Sequence, residues 1–170
     1  PPVLEALRRH VFNWEIWPDF GSIPSVEAPS IRWVPVAEGT STRFGPLEVL
    51  PFPAFHEVPA CGYVFRDNSG SSFAFTGDSG DVDRLVGVIN ELGPVDVLMT
   101  ECSLPNRLEE LARRFHHLTP ALLAELVARL DHRPREIWVS HFKPSYRDEI
   151  AGELAEGSFR ILQSGLRREL

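Results

Sequence analysis

Phe75-Thr76-Gly77-Asp78-Ser79-Gly80-Asp81 is an apolar run that stops at a glycine and a carboxylate, with a second glycine and carboxylate close behind. A short apolar stretch ended in this way reads as a buried strand, Ser72 to Thr76, feeding a polar turn. Beyond Asp81 the spacing becomes helical, with Leu85, Val88, Ile89 and Leu92 on one face of a predicted helix from Val82 to Leu92 that Gly93 and Pro94 stop. The pattern repeats downstream: Val95 to Thr100 is a buried strand ending at Glu101, and Ile137 to Ser140 is another ending at His141. Strands that alternate with helices belong to a sheet faced by helices, and polar residues at their ends gather along one edge.

Between these strands the spacing predicts a helix over Pro105 to Phe115 and a second that starts explicitly, with Thr119 as N-cap and Pro120 in the first turn. A helix from Tyr146 to Leu154 and a strand from Phe159 to Leu162 close the chain. Upstream, Ile31 to Val36, Phe44 to Phe52 and Cys61 to Arg66 are strand-like, and Asn68-Ser69-Gly70 makes a hairpin turn. Residues 2 to 12 form an amphipathic helix with Val3, Leu4, Leu7 and Val11 on one face. Trp14 to Ser30, with its prolines and tryptophans, reads as a long ordered loop.

A formal charge of −7 and a pI near 5.4 argue against a general nucleic-acid surface, which needs clustered Lys and Arg. A small anionic substrate would then need a local cationic centre such as a metal ion. No apolar stretch approaches the ~20 residues of a membrane helix, so no membrane partner is expected. Cys61 and Cys102 lack metal or redox spacing and leave the compartment open; cytoplasm is the expectation and periplasm the alternative. The chain opens directly into a helix without Met, so a longer natural product is expected.

His56, Asp78 and His141 each follow a strand-like run, and ligands on neighbouring strand ends converge. Two imidazoles and a carboxylate suit zinc or another first-row divalent ion, and are too few for a closed two-metal site. Each has a bland alternative: a strand-end histidine is more often a hydrogen-bonded loop residue, and Gly77-Asp78 also suits a turn leading to an N-cap at Asp81.

With Met99-Thr100-Glu101-Cys102-Ser103, His117-Leu118-Thr119-Pro120 and Val139-Ser140-His141-Phe142-Lys143-Pro144 added to the opening stretch, the chain resembles the second half of a metallo-β-lactamase-fold hydrolase. The order of the blocks, together with Leu7 to Asn13 running into Ile16-Trp17-Pro18-Asp19, is similar to the class II cyclic-nucleotide phosphodiesterases. The fold implied is α/β, a metallo-β-lactamase-like αββα sandwich represented mainly by its C-terminal half, with residues 1–170 as a single incomplete domain.

The resemblance implies two divalent metal ions, zinc with manganese or iron as alternatives. Asp78 would bridge them, with His56 and His141 each a ligand of one ion. A hydroxide held by both would attack a phosphodiester such as cyclic AMP or cyclic GMP. His117 is implied as proton donor or as stabiliser of the leaving oxygen. Glu101 ends a buried strand, where a carboxylate is costly without a partner, and is a candidate acceptor that orients His117 or a metal-bound histidine. Lys143 is a phosphate-binding candidate, and Asn13 and Trp17 are substrate-binding candidates. For Glu101 the alternative is a helix cap, for His117 a helix-entry residue, for Lys143 a solvated side chain and for Trp17 a loop anchor. The family's H-x-H-x-D-H motif is absent from residues 1–170, so the remaining ligands are expected on a separate N-terminal half, and the chain alone is expected to be inactive. A homo-oligomer is a further expectation. The other readings are an RNA-processing, thioester or β-lactam hydrolase of the same fold, or a non-catalytic assembly half. The Gly77 to Asp83 block also fits a haloacid-dehalogenase-type phosphatase, but the nucleophilic D-x-D-x-T/V after an early strand is missing.

Overall fold

The computed structural model describes residues 2–167, so positions 1 and 168–170 of the expected domain lie outside the described residues. The chain divides into two compact units, Pro1–Ala37 and Glu38–Leu170. In the first unit α1 (Pro2–His10) leads into a loop that is ordered by its aromatics. Phe12 packs edge-on against Phe20 at 6.0 Å and Trp33 at 5.3 Å. The expected strand over Ile31 to Val36 does not form. Pro35 has no N–H to give a ladder, Trp33 is engaged with Phe12, and the first unit contributes no strand to the sheet.

The second unit is built on a seven-stranded sheet whose spatial order follows the chain: β1 (Thr42–Phe44), β2 (Leu47–Pro53), β3 (Cys61–Arg66), β4 (Ser72–Phe75), β5 (Val97–Glu101), β6 (Glu136–Ser140) and β7 (Phe159–Ile161). The single run expected over Phe44 to Phe52 is therefore a hairpin, because Gly45 takes a φ of +58° that turns the chain at Gly45-Pro46. Strands β1 to β4 pair antiparallel, and β4 to β7 pair parallel. The parallel strands are joined by α2 (Val82–Leu92), by α3 (Glu109–Arg114) with α4 (Pro120–Ala128), and by α5 (Arg147–Leu154). The helix starts follow the sequence signals: Asp81 accepts from the Arg84 N–H at 3.1 Å, and Thr119 accepts from the Leu122 N–H at 3.3 Å.

Register places Val64, Ala74, Leu98 and Ile137 side by side on one face, each 2% exposed or less. They share a core with Leu85 and Ile89 of α2, Leu122, Leu123 and Leu126 of α4, and Ile150 and Leu154 of α5. Each buried leucine contributes roughly 1.5–3 kcal/mol, so this face holds the layers together. The alternate residues Tyr63, Phe65, Phe73, Phe75 and Met99 are half-buried, with Phe65 and Phe73 stacked at 5.9 Å and Phe73 beside Trp138 at 5.8 Å. Among the described residues no helix is long and apolar enough to cross a membrane. For the site, what matters is that β4, β5 and β6 run parallel, so the loops leaving their C-terminal ends emerge together.

Candidate metal centre

The turn after β4 opens with Thr76, whose N–H bonds to the Met99 carbonyl at 3.0 Å, and bends at Gly77, where φ is +63°. That bend presents Asp78. Ser79 and Gly80, both buried, tie this turn to the loop carrying His56: the Phe55 N–H donates to Ser79 Oγ at 2.9 Å, and the Gly80 N–H donates to the Phe55 carbonyl at 3.3 Å. Gly80 also packs against the backbone of the His116-His117 segment so closely that a Cβ there would lie 2.2 Å from His117 N. Glycine is needed at that position for close approach rather than for its dihedrals.

Glu101, the last residue of β5, is 1% exposed. A carboxyl group buried so deeply is costly unless its oxygens are satisfied. Here they are. Oε1 accepts from the Ser79 N–H at 3.0 Å, Oε2 from the Leu118 N–H at 3.3 Å and the Ser103 hydroxyl at 2.7 Å, and His117 Nδ1 lies 2.9 Å from both oxygens. With donors on every side the group is held as an acceptor, so Nδ1 of His117 carries the proton and Nε2 is its free nitrogen. Ser103 sits between Glu101 and the His141 carbonyl, 3.0 Å away, and so links the loops after β5 and β6.

His141 follows β6 with a φ of +59°, a left-handed conformation that costs a non-glycine residue roughly 1–3 kcal/mol and clusters at functional sites. Its Nε2 lies 3.3 Å from Asp78 Oδ2, and its ring stacks on that of His117 at 5.8 Å. Asp78, His117 and His141 thus each offer a ligand atom within 4.8 Å of the others. His56 lies outside that group of three, with its ring centroid 5.1 Å from that of His117. Its Nδ1 is buried and has no hydrogen-bond partner among the described residues. An orphaned imidazole nitrogen in this position costs about 1–3 kcal/mol, which a metal ion would relieve. Imidazole and carboxylate donors gathered in this way fit a divalent ion, and the Glu101 carboxylate fixes the ring of His117 among them.

Lys143 is exposed and lines a cavity of about 420 Å³ together with His56 and His117. Asn13 and Trp17 belong to the first unit. The Asn13 side chain is taken up in its own loop, accepting from the Glu15 and Ile16 N–H groups, each at 3.0 Å, and Trp17 is 55% exposed. Sequence reasoning passed over Ser79, Gly80 and Ser103, which touch or link the expected site residues. The visible signal was small and hydroxyl residues directly after buried strands, inside blocks already singled out.

The pattern of the beta-lactamase superfamily domain matches residues 3–142, and this chain belongs to that family. Its mixed α/β architecture is the metallo-β-lactamase fold. It superposes on the metallo-beta-lactamase fold protein YhfI from Bacillus subtilis with a TM-score of 0.64 at 16% identity, covering 78% of this chain and 54% of that one. The short form of human tRNase Z matches with a TM-score of 0.55 at 19% identity, covering 74% and 44%. In sequence the chain is 26% identical over 183 aligned positions to a Yersinia pestis protein named "Probable 3',5'-cyclic-nucleotide phosphodiesterase", covering 91% of this chain and 53% of that protein. The chain thus spans about half the length of the curated relative it matches.

Proposed function

We propose that this chain contributes Asp78, His141 and His56 to a centre of two divalent metal ions, zinc in the first instance, in a hydrolase of 3',5'-cyclic nucleotides. The observation that carries the reading is the gathering of Asp78 and His141 beside His117, whose Nδ1 is held by the Glu101 carboxylate so that its other ring nitrogen is left for chemistry. The cyclic-nucleotide phosphodiesterase name of the Yersinia pestis relative supports the substrate class. The remaining ligands are proposed to come from a segment outside residues 1–170, because three donors are too few for two ions.

When bound, the ions supply Lewis-acid stabilisation of the phosphoryl oxygens and activation of water. The chain's own residues do the rest. Water oxygen bonds to phosphorus as the ester P–O bond breaks, and protonated His117 delivers the Nε2 proton to the departing alkoxide. The proton released by the water restores His117. Glu101 stabilises the imidazolium and fixes the ring, as a buried carboxylate does behind a catalytic histidine. Lys143 approaches a phosphate oxygen from the cavity wall.

The test is turnover and metal content in the intact protein. Asp78→Ala is expected to lose metal and activity together. His117→Ala is expected to keep its metal while turnover of a cyclic nucleotide falls roughly 10²- to 10⁴-fold. On a nitrophenyl phosphodiester, whose leaving group needs no proton, the fall should be smaller. Equal losses on both substrates would remove the proton-donor role, and a lost ion would make His117 a ligand instead.

A further inference from the structure

The cavity of about 420 Å³ lined by His56, His117 and Lys143 has further lining residues that the hydrolytic machinery does not use. Leu104, Leu111 and Phe115 form its apolar wall. Leu104 is buried, whereas Leu111 is 41% and Phe115 44% exposed. Leu111 lies one helical turn before Phe115, so both side chains project from the same face of the α3 segment. The segment is anchored rather than loose: the Phe115 N–H bonds to the Leu111 carbonyl at 3.1 Å and the His117 N–H to the Ala112 carbonyl at 2.8 Å. Two large apolar side chains are therefore held in solvent at the mouth of a cavity whose other lining groups are the imidazoles of His56 and His117, the Lys143 ammonium and the Glu57 carboxylate. The cavity thus combines exposed apolar surface with one ammonium, one carboxylate and two imidazoles.

We infer that this is the subsite for a purine base, with the ring laid against Phe115 and Leu111 and the phosphate directed to Lys143 and the histidines. The inference rests on the phosphodiesterase reading for its phosphate end alone. Charge complementarity sets the pairing, since the anion of such a ligand is attracted by the Lys143 ammonium and its planar group by the apolar Phe115 and Leu111. The volume is within the range of about 300–1,000 Å³ for small-molecule sites. Glu57 adds an acceptor for the N–H groups on a purine edge. Base-aromatic stacking of this kind tolerates different bases, because every base presents a π-face. The guanidinium of Arg114 lies 5.7 Å from the Phe115 ring centroid, within reach of a cation–π contact that steadies the ring.

The experiment is a calorimetric titration of the zinc-loaded intact protein with adenosine 5'-monophosphate, ribose 5-phosphate, adenosine and inorganic phosphate, repeated on Phe115→Ala and Phe115→Tyr. The nucleotide is expected to bind about 10-fold more tightly than ribose phosphate. That advantage should fall to about 2-fold or less in Phe115→Ala and return in Phe115→Tyr, with phosphate affinity unchanged throughout. Equal binding of nucleotide and ribose phosphate by the unaltered chain overturns the subsite, as does an advantage that survives Phe115→Ala. The two readings fail separately. Phe115-dependent adenosine binding without phosphate competition sinks the phosphodiesterase reading and keeps the subsite, whereas phosphate binding with no response to adenosine does the reverse. Silence from all four ligands overturns both.

Discussion

Replacing Glu101 by glutamine keeps the shape of the side chain and changes only what its oxygens can accept. At present the two oxygens receive the Ser79 N–H, the Leu118 N–H, the Ser103 hydroxyl and His117 Nδ1. An amide has one acceptor oxygen and a donor NH₂ in place of the other. If its oxygen keeps Ser79 and His117, the NH₂ faces the Leu118 N–H, and Ser103 must rotate to accept. One buried backbone N–H is then orphaned, at about 1–3 kcal/mol, and the other three bonds lose their ionic partner, at about 0.5–1 kcal/mol each. The sum is about 4 kcal/mol, a large part of the roughly 5–15 kcal/mol that holds a domain together. Urea unfolding followed by circular dichroism measures the loss, and ¹⁵N shifts of His117 report whether Nδ1 still carries the proton. A loss below about 1 kcal/mol with the tautomer unchanged would refute the reasoning, because the carboxylate would then not be organising the site. Ser103→Ala removes the hydroxyl that contacts Glu101 and the His141 carbonyl but leaves the carboxylate in place, and its expected cost of about 1–2 kcal/mol keeps the comparison readable if the glutamine variant is too unstable.

Gly80→Ala should destabilise by about 1–3 kcal/mol or more, since its Cβ would lie 2.2 Å from backbone atoms of His116 and His117, which must shift to admit it. Unchanged stability together with an unshifted His117 resonance would show that the two loops separate freely. Asp96 accepts from both the hydroxyl and the N–H of Ser72, each at 2.8 Å, and these bonds, the hydroxyl first, hold its carboxyl below the ordinary carboxylate range. The folded group therefore gives up its proton more readily than the unfolded one. Its contribution is present above the usual value of about 3.9 and drains as pH falls through the lower folded value. The stability difference between the protein and Asp96→Asn should hold steady near neutrality and shrink in that acid window, and a pH-independent difference would be the contrary result. Burial, with a smaller effect from Glu101, pushes the Cys102 thiol far up, whereas Cys61 is half-buried beside Tyr63. Iodoacetamide under native conditions should therefore modify Cys61 and spare Cys102, and mass spectrometry of peptides would reveal the opposite order.

Much of the fold was legible because its signals are local. Thr119-Pro120 announces a helix start, Gly93-Pro94 a stop, and the apolar runs at Val97 and Ile137 are too short and too continuous to be anything but buried strands in an alternating pattern. The misreadings also have local causes. Ile31 to Val36 has strand-like composition but does not join the sheet, and composition carries no information about partners. Phe44 to Phe52 contains a turn at Gly45-Pro46 that the apolar residues on either side mask in composition.

The candidate site divides the same way. Asp78, Glu101 and His141 could be placed at strand ends from the chain alone, since a polar residue that closes an apolar run needs no tertiary knowledge to locate. Which of them meet could not. The grouping of His117 with Asp78 and His141 depends on three parallel strands ending at one level and on Gly80 letting two loops close to contact. The burial of Glu101 beneath four donors, the unpartnered nitrogen of His56 and the exposed Phe115 at the cavity mouth are likewise properties of distances between residues far apart in the chain. Local sequence sets dihedral preference and periodicity. Convergence of side chains is set by packing, and only the folded backbone specifies it.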